Sequence, residues 1–153
     1  MSTEGHVGFQ SDPNLIRWRI HLNSPPHRVH QMLSTNEGRA RFWAESAVET
    51  AGSIDFVFPD GQTWRGKILQ NTPFHLFSLE YFGGSVVSFY LEDDGSGGTD
   101  LTLIDQGVKP QERCEVIAGW VSVLLALKAA VDFSIDLRNH DPHRTWQQGF
   151  VDN

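Results

Sequence analysis

The sequence predicts an α+β fold in which an antiparallel sheet of about six to seven strands packs against a long C-terminal helix. Short segments at residues 16–22 and 47–108 alternate apolar and polar side chains. A period of two is typical of strands with one buried face. Residues 111–138 instead repeat their apolar side chains every three to four positions, which is the spacing of an amphipathic helix.

The first strand gives the clearest signal, because apolar residues at 16, 18, 20 and 22 alternate with three basic residues. It stops before Ser24 and Pro25. Serine is a good N-cap and proline a good first helical residue, so we predict a helix over residues 25–33. A second short helix, over residues 37–43, follows a cap at Thr35 or Asn36.

Turn residues divide the middle of the chain into strands. Pro59-Asp60-Gly61 is a strong hairpin signal, and Asn71-Thr72-Pro73 and Gly83-Gly84 mark further turns. The Asp-, Gly- and Ser-rich residues 93–98 are interpreted as a hairpin loop and not as a calcium site, since they lack the alternating ligands and the closing glutamate.

The strand over residues 75–82 is compatible with two orientations. In one, Phe77, Leu79 and Tyr81 face the helix and Glu80 is a solvated surface charge, the usual environment of glutamate. In the other, Glu80 faces the interior, where an apolar pocket would raise its pKa and let it act as an acid, a base or a ligand anchor. The sequence leaves both open.

The long helix is expected to bury one stripe and expose the other. The buried stripe comprises Val116, Ile117, Trp120, Val123, Leu124, Leu127 and Val131, and the opposite side comprises Glu115, Ser122, Ala129, Asp132 and Asp136. Such a wide stripe of large side chains needs a broad apolar partner, which the sheet supplies.

Residues 139–153 form a C-terminal extension beyond the helix. Asn139 is a candidate cap for the helix C-terminus. Asp141-Pro142 predicts the start of another short helix, which Gly149 would end. The aromatic residues Trp146 and Phe150 indicate that this tail folds back onto the domain.

Composition bounds the function. The chain has 153 residues, a formal net charge of −7 and one cysteine, so we predict a single domain over 1–153 with a mobile lead-in over 1–14. The acidic balance argues against a nucleic-acid partner. The N-terminus lacks a signal-peptide pattern and the apolar run 121–127 is too short for a bilayer. We therefore predict a cytoplasmic protein with no membrane association.

Few other residues suggest chemistry. His27 and His30, and likewise His140 and His143, are three apart, but zinc sites need three or four ligands with supporting carboxylates. Cys114 opens the long helix without a motif around it. We predict no metal site, no cofactor and no catalytic residue.

Several motifs resemble one superfamily. These are the element order, the segment Ser24-Pro25-Pro26-His27-Arg28-Val29, the pair Phe42-Trp43, and Gly119-Trp120-X-X-X-Leu124-Leu125-X-Leu127-Lys128. Over residues 16–138 the chain resembles the SRPBCC (START/Bet v 1-like) superfamily, and within it the branch related to the C-terminal domain of the Hsp90 co-chaperone Aha1. The resemblance implies a helix-grip fold, in which a curved sheet wraps around the long helix and often encloses an apolar cavity. It supports the fold more than the function.

Three functional hypotheses follow. The first is a binding module for a small hydrophobic or amphipathic ligand held between the sheet and the helix. The second is an Aha1-like interaction domain that meets a protein partner or a second copy of itself. The third is a cyclase- or hydratase-type enzyme using Glu80, Tyr81 or His75 for proton transfer. The candidate ligand-binding residues are Phe56, Phe58, Trp64, Leu79, Glu80, Tyr81, Phe89, Trp120 and Leu124.

Overall fold

A computed structural model describes residues 12–153 of the chain. The predicted lead-in therefore lies largely outside the described residues. The elements are β1 (Leu15–Leu22), α1 (Pro26–Ser34), α2 (Asn36–Arg39), β2 (Ser46–Thr50), β3 (Ser53–Val57), β4 (Thr63–Thr72), β5 (Leu76–Tyr81), β6 (Ser85–Asp93), β7 (Thr99–Gln106) and α3 (Arg113–Phe133). Single 3₁₀ turns lie at Phe82–Gly84, Pro110–Glu112 and Trp146–Gln148.

The seven strands form one antiparallel sheet in the order β1-β7-β6-β5-β4-β3-β2. Strands β2 to β7 are a meander, and β1 pairs with β7 at the far edge. The predicted Pro59-Asp60-Gly61 hairpin joins β3 to β4. The long helix α3 packs against this sheet through Trp120, Leu124, Leu127 and Val131, which are all buried. The predicted fold class, a helix-grip arrangement of sheet and C-terminal helix, is confirmed.

The long helix ends earlier than predicted, at Phe133 and not near Arg138. Ser134 adopts a left-handed conformation with φ 55°. Its N–H bonds the Ala130 carbonyl, and the N–H of Ile135 bonds the Ala129 carbonyl. The first bond is that of the αL capping motif, and the second satisfies one more of the last helical carbonyls. The prediction that Asn139 caps the helix is therefore wrong.

The predicted solvent face of α3 is wrong at two positions, Ala129 and Asp132. Ala129 is buried, and the Asp132 side chain is only 1% exposed. The Asp132 carboxylate accepts hydrogen bonds from the N–H groups of Asn23 and Ser24 and from the Ser24 hydroxyl, at 2.8–3.0 Å. A buried carboxylate is tolerated there because several donors converge on it.

The same contacts correct the prediction for Ser24. This residue does not cap α1, whose N-cap is Pro25 with no side-chain bond. Its hydroxyl instead bonds the Val131 carbonyl and Asp132 on α3, so the residue ties the end of β1 to the long helix. Thr35 does cap the second helix, as predicted, by accepting from the Gly38 N–H at 3.0 Å. That helix stops at Arg39, four residues before the predicted end.

Length and composition make the segment Pro110–Phe133 a candidate membrane span, with a mean hydropathy of 1.8. It is the one such helix in residues 12–153, and 39% of the relevant stretch is buried against the rest of the fold. Core helices of this kind pass the same test. The cytoplasmic location stays a prediction.

The C-terminal extension does fold back onto the domain. The Arg138 guanidinium donates to the carbonyls of Ala40 and Ala44, each at 2.7 Å. The Trp146 indole N–H donates to Glu115 on α3 at 3.2 Å. The short helical turn begins at Trp146 with Thr145 as its cap and stops at Gly149, so its predicted start at Asp141-Pro142 is wrong.

A charged cluster holds the start of this extension. His140 bonds Glu45 and Asp136, each at 2.7 Å, and Arg138 bonds Asp136 at 2.9 Å. The hydrogen bonds to Asp136 and Glu45 raise the pKa of His140. Partial burial opposes ionisation of Asp136, but the bonds from Arg138 and His140 outweigh it and bring its pKa to about 2.

We expect a His140→Gln substitution to destabilise the protein at about pH 5–6 and to have little effect at about pH 9. A raised histidine pKa stabilises the folded state fully below the unfolded value and loses that contribution as the pH rises through the folded pKa. The loss at low pH should stay below about 1 kcal/mol, because these groups are more than a third exposed. Urea unfolding at both pH values measures it.

His143→Gln is the matched control, because His143 lies in the same extension and is exposed. It should leave the urea unfolding curve unchanged at both pH values. Equal destabilisation of His140→Gln at both pH values would show that charge plays no part in holding the extension.

Candidate ligand-binding site

Strand β5 resolves the orientation that the sequence left open. Phe77 and Leu79 are fully buried and Tyr81 is partly buried on the inner face, whereas Glu80 is exposed. Leu79 and Tyr81, on either side of Glu80, pair with Val87 and Ser85 on β6, which are also buried. Glu80 therefore lies on the outer face of the sheet, and the alternative with an inward carboxylate is wrong.

The centre of the space between sheet and helix is filled. Trp43, from the turn after α2, lies with its ring centroid 5.0 Å from Phe56, 5.3 Å from Phe89 and 6.2 Å from Trp120. Phe56, Leu79, Phe89 and Leu124, predicted as ligand-binding residues, are buried in this core. None of the four lines the cavity described next.

A cavity of about 380 Å³ opens beside this core, at the N-terminal half of α3. Its aromatic lining includes three of the predicted residues, Phe58, Tyr81 and Trp120, together with Trp43. The β3–β4 hairpin, the turn after β5, the end of β7 and the C-terminal extension complete its walls. The cavity volume falls within the range of small-molecule sites.

Trp64, also predicted to bind ligand, supports the wall from behind and does not line it. Its ring lies 5.3 Å from Phe82, which does line the cavity. Its indole N–H donates to the Glu80 carbonyl at 3.1 Å. The close approach requires a glycine at position 66, because a Cβ there would lie 2.1 Å from the same carbonyl oxygen.

Two indole N–H groups organise the polar part of the floor. Trp43 donates to the Tyr81 hydroxyl at 3.0 Å, and Trp120 donates to Oδ2 of Asp105 at 2.9 Å. Burial raises the pKa of the Tyr81 hydroxyl, and the hydrogen bond from Trp43 offsets only part of that effect. The phenol is therefore neutral and can donate its own proton.

Asp105 is the polar residue that the sequence analysis missed. It is 1% exposed, and its second oxygen, Oδ1, has no hydrogen-bond partner among residues 12–153. Burial raises the pKa of this carboxyl, while the Trp120 indole and the nearby Ser85 hydroxyl oppose the rise. The alternation of Leu101, Leu103 and Asp105 along β7 places all three on the inner face, and that signal was present in the sequence.

Five charged residues besides Asp105 also line the cavity. Asp60, Glu112 and Glu115 carry negative charge, and Lys109 and Arg138 carry positive charge. The Arg138 guanidinium is already bonded to Asp136 and two carbonyls. The charged part of the lining is therefore acidic on balance, which disfavours an anionic ligand.

A second, more open hollow of about 760 Å³ lies on another part of the surface, beside the start of α1. It is lined by exposed residues including His27, Phe74 and His75. It has no buried polar floor of the kind found at Asp105. Within the part of the chain that is described, no three His, Cys, Asp or Glu side chains are grouped as metal ligands.

Comparisons with known proteins agree with this architecture. Residues 23–132 match the family described as Activator of Hsp90 ATPase homolog 1-like protein. The Aha1 dimer from Colwellia psychrerythraea is 21% identical, with a TM-score of 0.70, covering 78% of this chain and 96% of that one. A Staphylococcus saprophyticus protein is 18% identical, with a TM-score of 0.70, covering 81% and 96%.

A protein of the dynemicin biosynthetic locus, DynU16, is 20% identical with a TM-score of 0.67, covering 80% of this chain and 49% of that one. At these identities the likeness shows the fold alone. No curated protein matches the sequence significantly. The family match spans most of the domain, and the superfamily resemblance seen in the sequence is confirmed. The chain belongs to the Activator of Hsp90 ATPase homolog 1-like protein family, within the SRPBCC superfamily.

Proposed function

We propose that this protein binds a small apolar or amphipathic molecule in the cavity beside the N-terminal half of α3. The observation that carries the proposal is the floor of that cavity, where Trp43, Tyr81 and Trp120 surround buried polar groups. A mostly apolar lining with a few fixed polar groups is the usual composition of small-molecule sites.

Gly119 supports the proposal independently. It lies in the middle of α3 and lines the cavity, and a Cβ built on it would meet nothing within 4 Å. Glycine inside a helix costs about 0.8–1.0 kcal/mol relative to alanine. No packing contact requires glycine here, so its presence is explained by the space that it leaves open in the cavity.

We expect Gly119→Leu to reduce ligand affinity at least about tenfold without unfolding the protein, because the side chain enters the cavity and meets no wall nearby. Gly119→Ala is the control, and should raise the free energy of unfolding by about 0.5–1 kcal/mol through helix propensity. Isothermal calorimetry and urea unfolding measure the two effects.

The ligand itself can be sought by native mass spectrometry of the protein from its host lysate, compared with its denatured mass. A small molecule retained by wild type and lost from Gly119→Leu supports the proposal and identifies the ligand. Equal retention by both proteins would show that the ligand binds elsewhere.

A second candidate function, interaction with a protein partner or a second copy, rests on exposed apolar side chains. Along α3 and its continuation these are Val121, Leu125, Phe133, Ile135 and Leu137, with Leu125 52% exposed. The similar Colwellia protein is described as a dimer. Sedimentation over a range of protein concentrations tests self-association directly.

The enzymatic alternative loses two of its three candidate residues. Glu80 is on the outer face, and His75 is exposed at the second hollow. Of the three, only Tyr81 lines the cavity beside α3, and its pKa is raised, which disfavours it as a base.

A further inference from the structure

The buried Asp105 carboxylate gives the cavity a polarity that its aromatic lining does not reveal. Asp105 lies at the end of β7, between β1 and β6, and its Cα partners in the sheet are Ile16 and Val87, both fully buried. Oδ2 accepts from Trp120, but Oδ1 has no partner among the described residues. An unpaired buried polar atom destabilises the folded state, and a charged one does so more strongly.

Such an atom is explained by a group that pairs with it in use. Oδ1 is an acceptor and therefore needs a donor. The hydroxyls of Tyr81 and Ser85 line the same cavity, and the Tyr81 hydroxyl already accepts from Trp43, so its proton is left to donate. The floor thus presents one acceptor and a neighbouring donor.

Resting on the proposed function, we infer that the ligand is an apolar molecule ending in a hydroxyl group, a phenol or an alcohol, which donates to Asp105 and accepts from Tyr81. A hydroxyl satisfies both groups because it has one donor and two lone pairs. A carboxylate would place like charges together at Asp105, in a lining whose other charged side chains are three acidic (Asp60, Glu112, Glu115) and two basic (Lys109, Arg138). A hydrocarbon would leave Oδ1 unpaired.

Three probes with the same two-ring scaffold separate these cases: 2-naphthol, 2-methylnaphthalene and 2-naphthoate. Wild-type protein should bind 2-naphthol at least about tenfold more tightly than 2-methylnaphthalene, as expected for a hydrogen bond to a charged group. It should bind 2-naphthoate most weakly. Calorimetry gives the affinities, and the indole N–H resonances of Trp43 and Trp120 report binding at this floor.

The test variant is Asp105→Asn, which keeps an acceptor for Trp120 and places an amide donor where Oδ1 stood. It should remove most of the preference for 2-naphthol over 2-methylnaphthalene and improve the binding of 2-naphthoate. Asp100→Asn is the matched control, because Asp100 lies on the same strand with the opposite parity and does not line this cavity. It should leave the order of affinities unchanged.

The outcomes separate the two proposals. Equal binding of 2-naphthol and 2-methylnaphthalene by wild type, or an unchanged preference in Asp105→Asn, overturns the role of Asp105 and leaves the cavity binder standing. Binding of none of the probes, with no shift at either indole, overturns both. If Asp105→Asn loses folded structure by circular dichroism, the wild-type ranking of the three probes still decides the inference.

Discussion

An Arg39→Met substitution should lower the free energy of unfolding by about 3–5 kcal/mol, because it leaves buried acceptors without a donor. Arg39 is the last residue of α2 and is fully buried, at 0% exposure. Its guanidinium donates to the carbonyls of Ala47 and Leu33 and to the side chain of Asn36, at 2.8–3.1 Å. Methionine fills much of the same volume but donates to none of them.

Burial lowers the pKa of the Arg39 guanidinium, and the charges of Glu49 and Glu37 oppose that change. The group nevertheless stays protonated, since arginine does not lose its proton in proteins. Its hydrogen bonds connect α1, α2 and β2. Trp43 lies in the segment between α2 and β2, so these bonds also help to fix its position at the cavity floor. The variant should therefore lose ligand affinity as well as stability.

Thermal unfolding measures the effect, and a loss of this size corresponds to roughly 6–20 °C in a domain of this length. Arg41→Met is the control, because Arg41 is two residues away and exposed. It should unfold within about 0.5 kcal/mol of wild type. If the two variants unfold at the same temperature, the hydrogen bonds of Arg39 contribute no more to stability than a surface arginine does.

Local patterns predicted the strands and the sheet well, because their side-chain period is fixed by the backbone. The alternation in β1 and the turn at residues 59–61 both appear in the structure as expected. Helix ends were less predictable. Ser134 ends α3 although serine has no special preference for the left-handed conformation, so no local sequence signal marks this end.

Buried polar residues account for most of what the sequence did not predict. Asp132 and Arg39 look like surface residues by type, and only the convergence of distant partners makes their burial tolerable. Asp105 differs from them, because it alternates with Leu101 and Leu103 along β7 and this alternation already indicated an inward side chain. Aspartate is usually exposed, so residue type and position on the strand point in opposite directions there, and position is the better guide.

The aromatic candidates divide for a related reason. Phe56, Phe58, Phe89 and Trp120 all face inward, but periodicity gives only the face of a strand or helix and not the depth along it. Phe56 and Phe89 lie where Trp43 fills the space, while Phe58 and Trp120 lie where the space stays open. The difference depends on where the turn after α2 places one indole, which no local pattern encodes.

Trp120 contributes both to the stability of the fold and to the lining of the cavity. It is 3% exposed, packs against Tyr81 with ring centroids 5.3 Å apart, and donates a hydrogen bond of 2.9 Å to Oδ2 of Asp105. We expect Trp120→Ala to lower the free energy of unfolding by about 3–5 kcal/mol, the cost of deleting a large buried side chain. Far-ultraviolet circular dichroism in urea measures it without relying on tryptophan fluorescence.

Trp120→Phe separates the ring from its N–H group. Phenylalanine keeps most of the packing but removes the indole donor of Oδ2 of Asp105, so we expect a loss of about 1–3 kcal/mol. Combining it with Asp105→Asn should cost less than the sum of the two single changes, because the amide no longer holds a buried charge. Strict additivity would mean that the indole and the carboxylate do not act together, and the aromatic floor would then contribute packing alone.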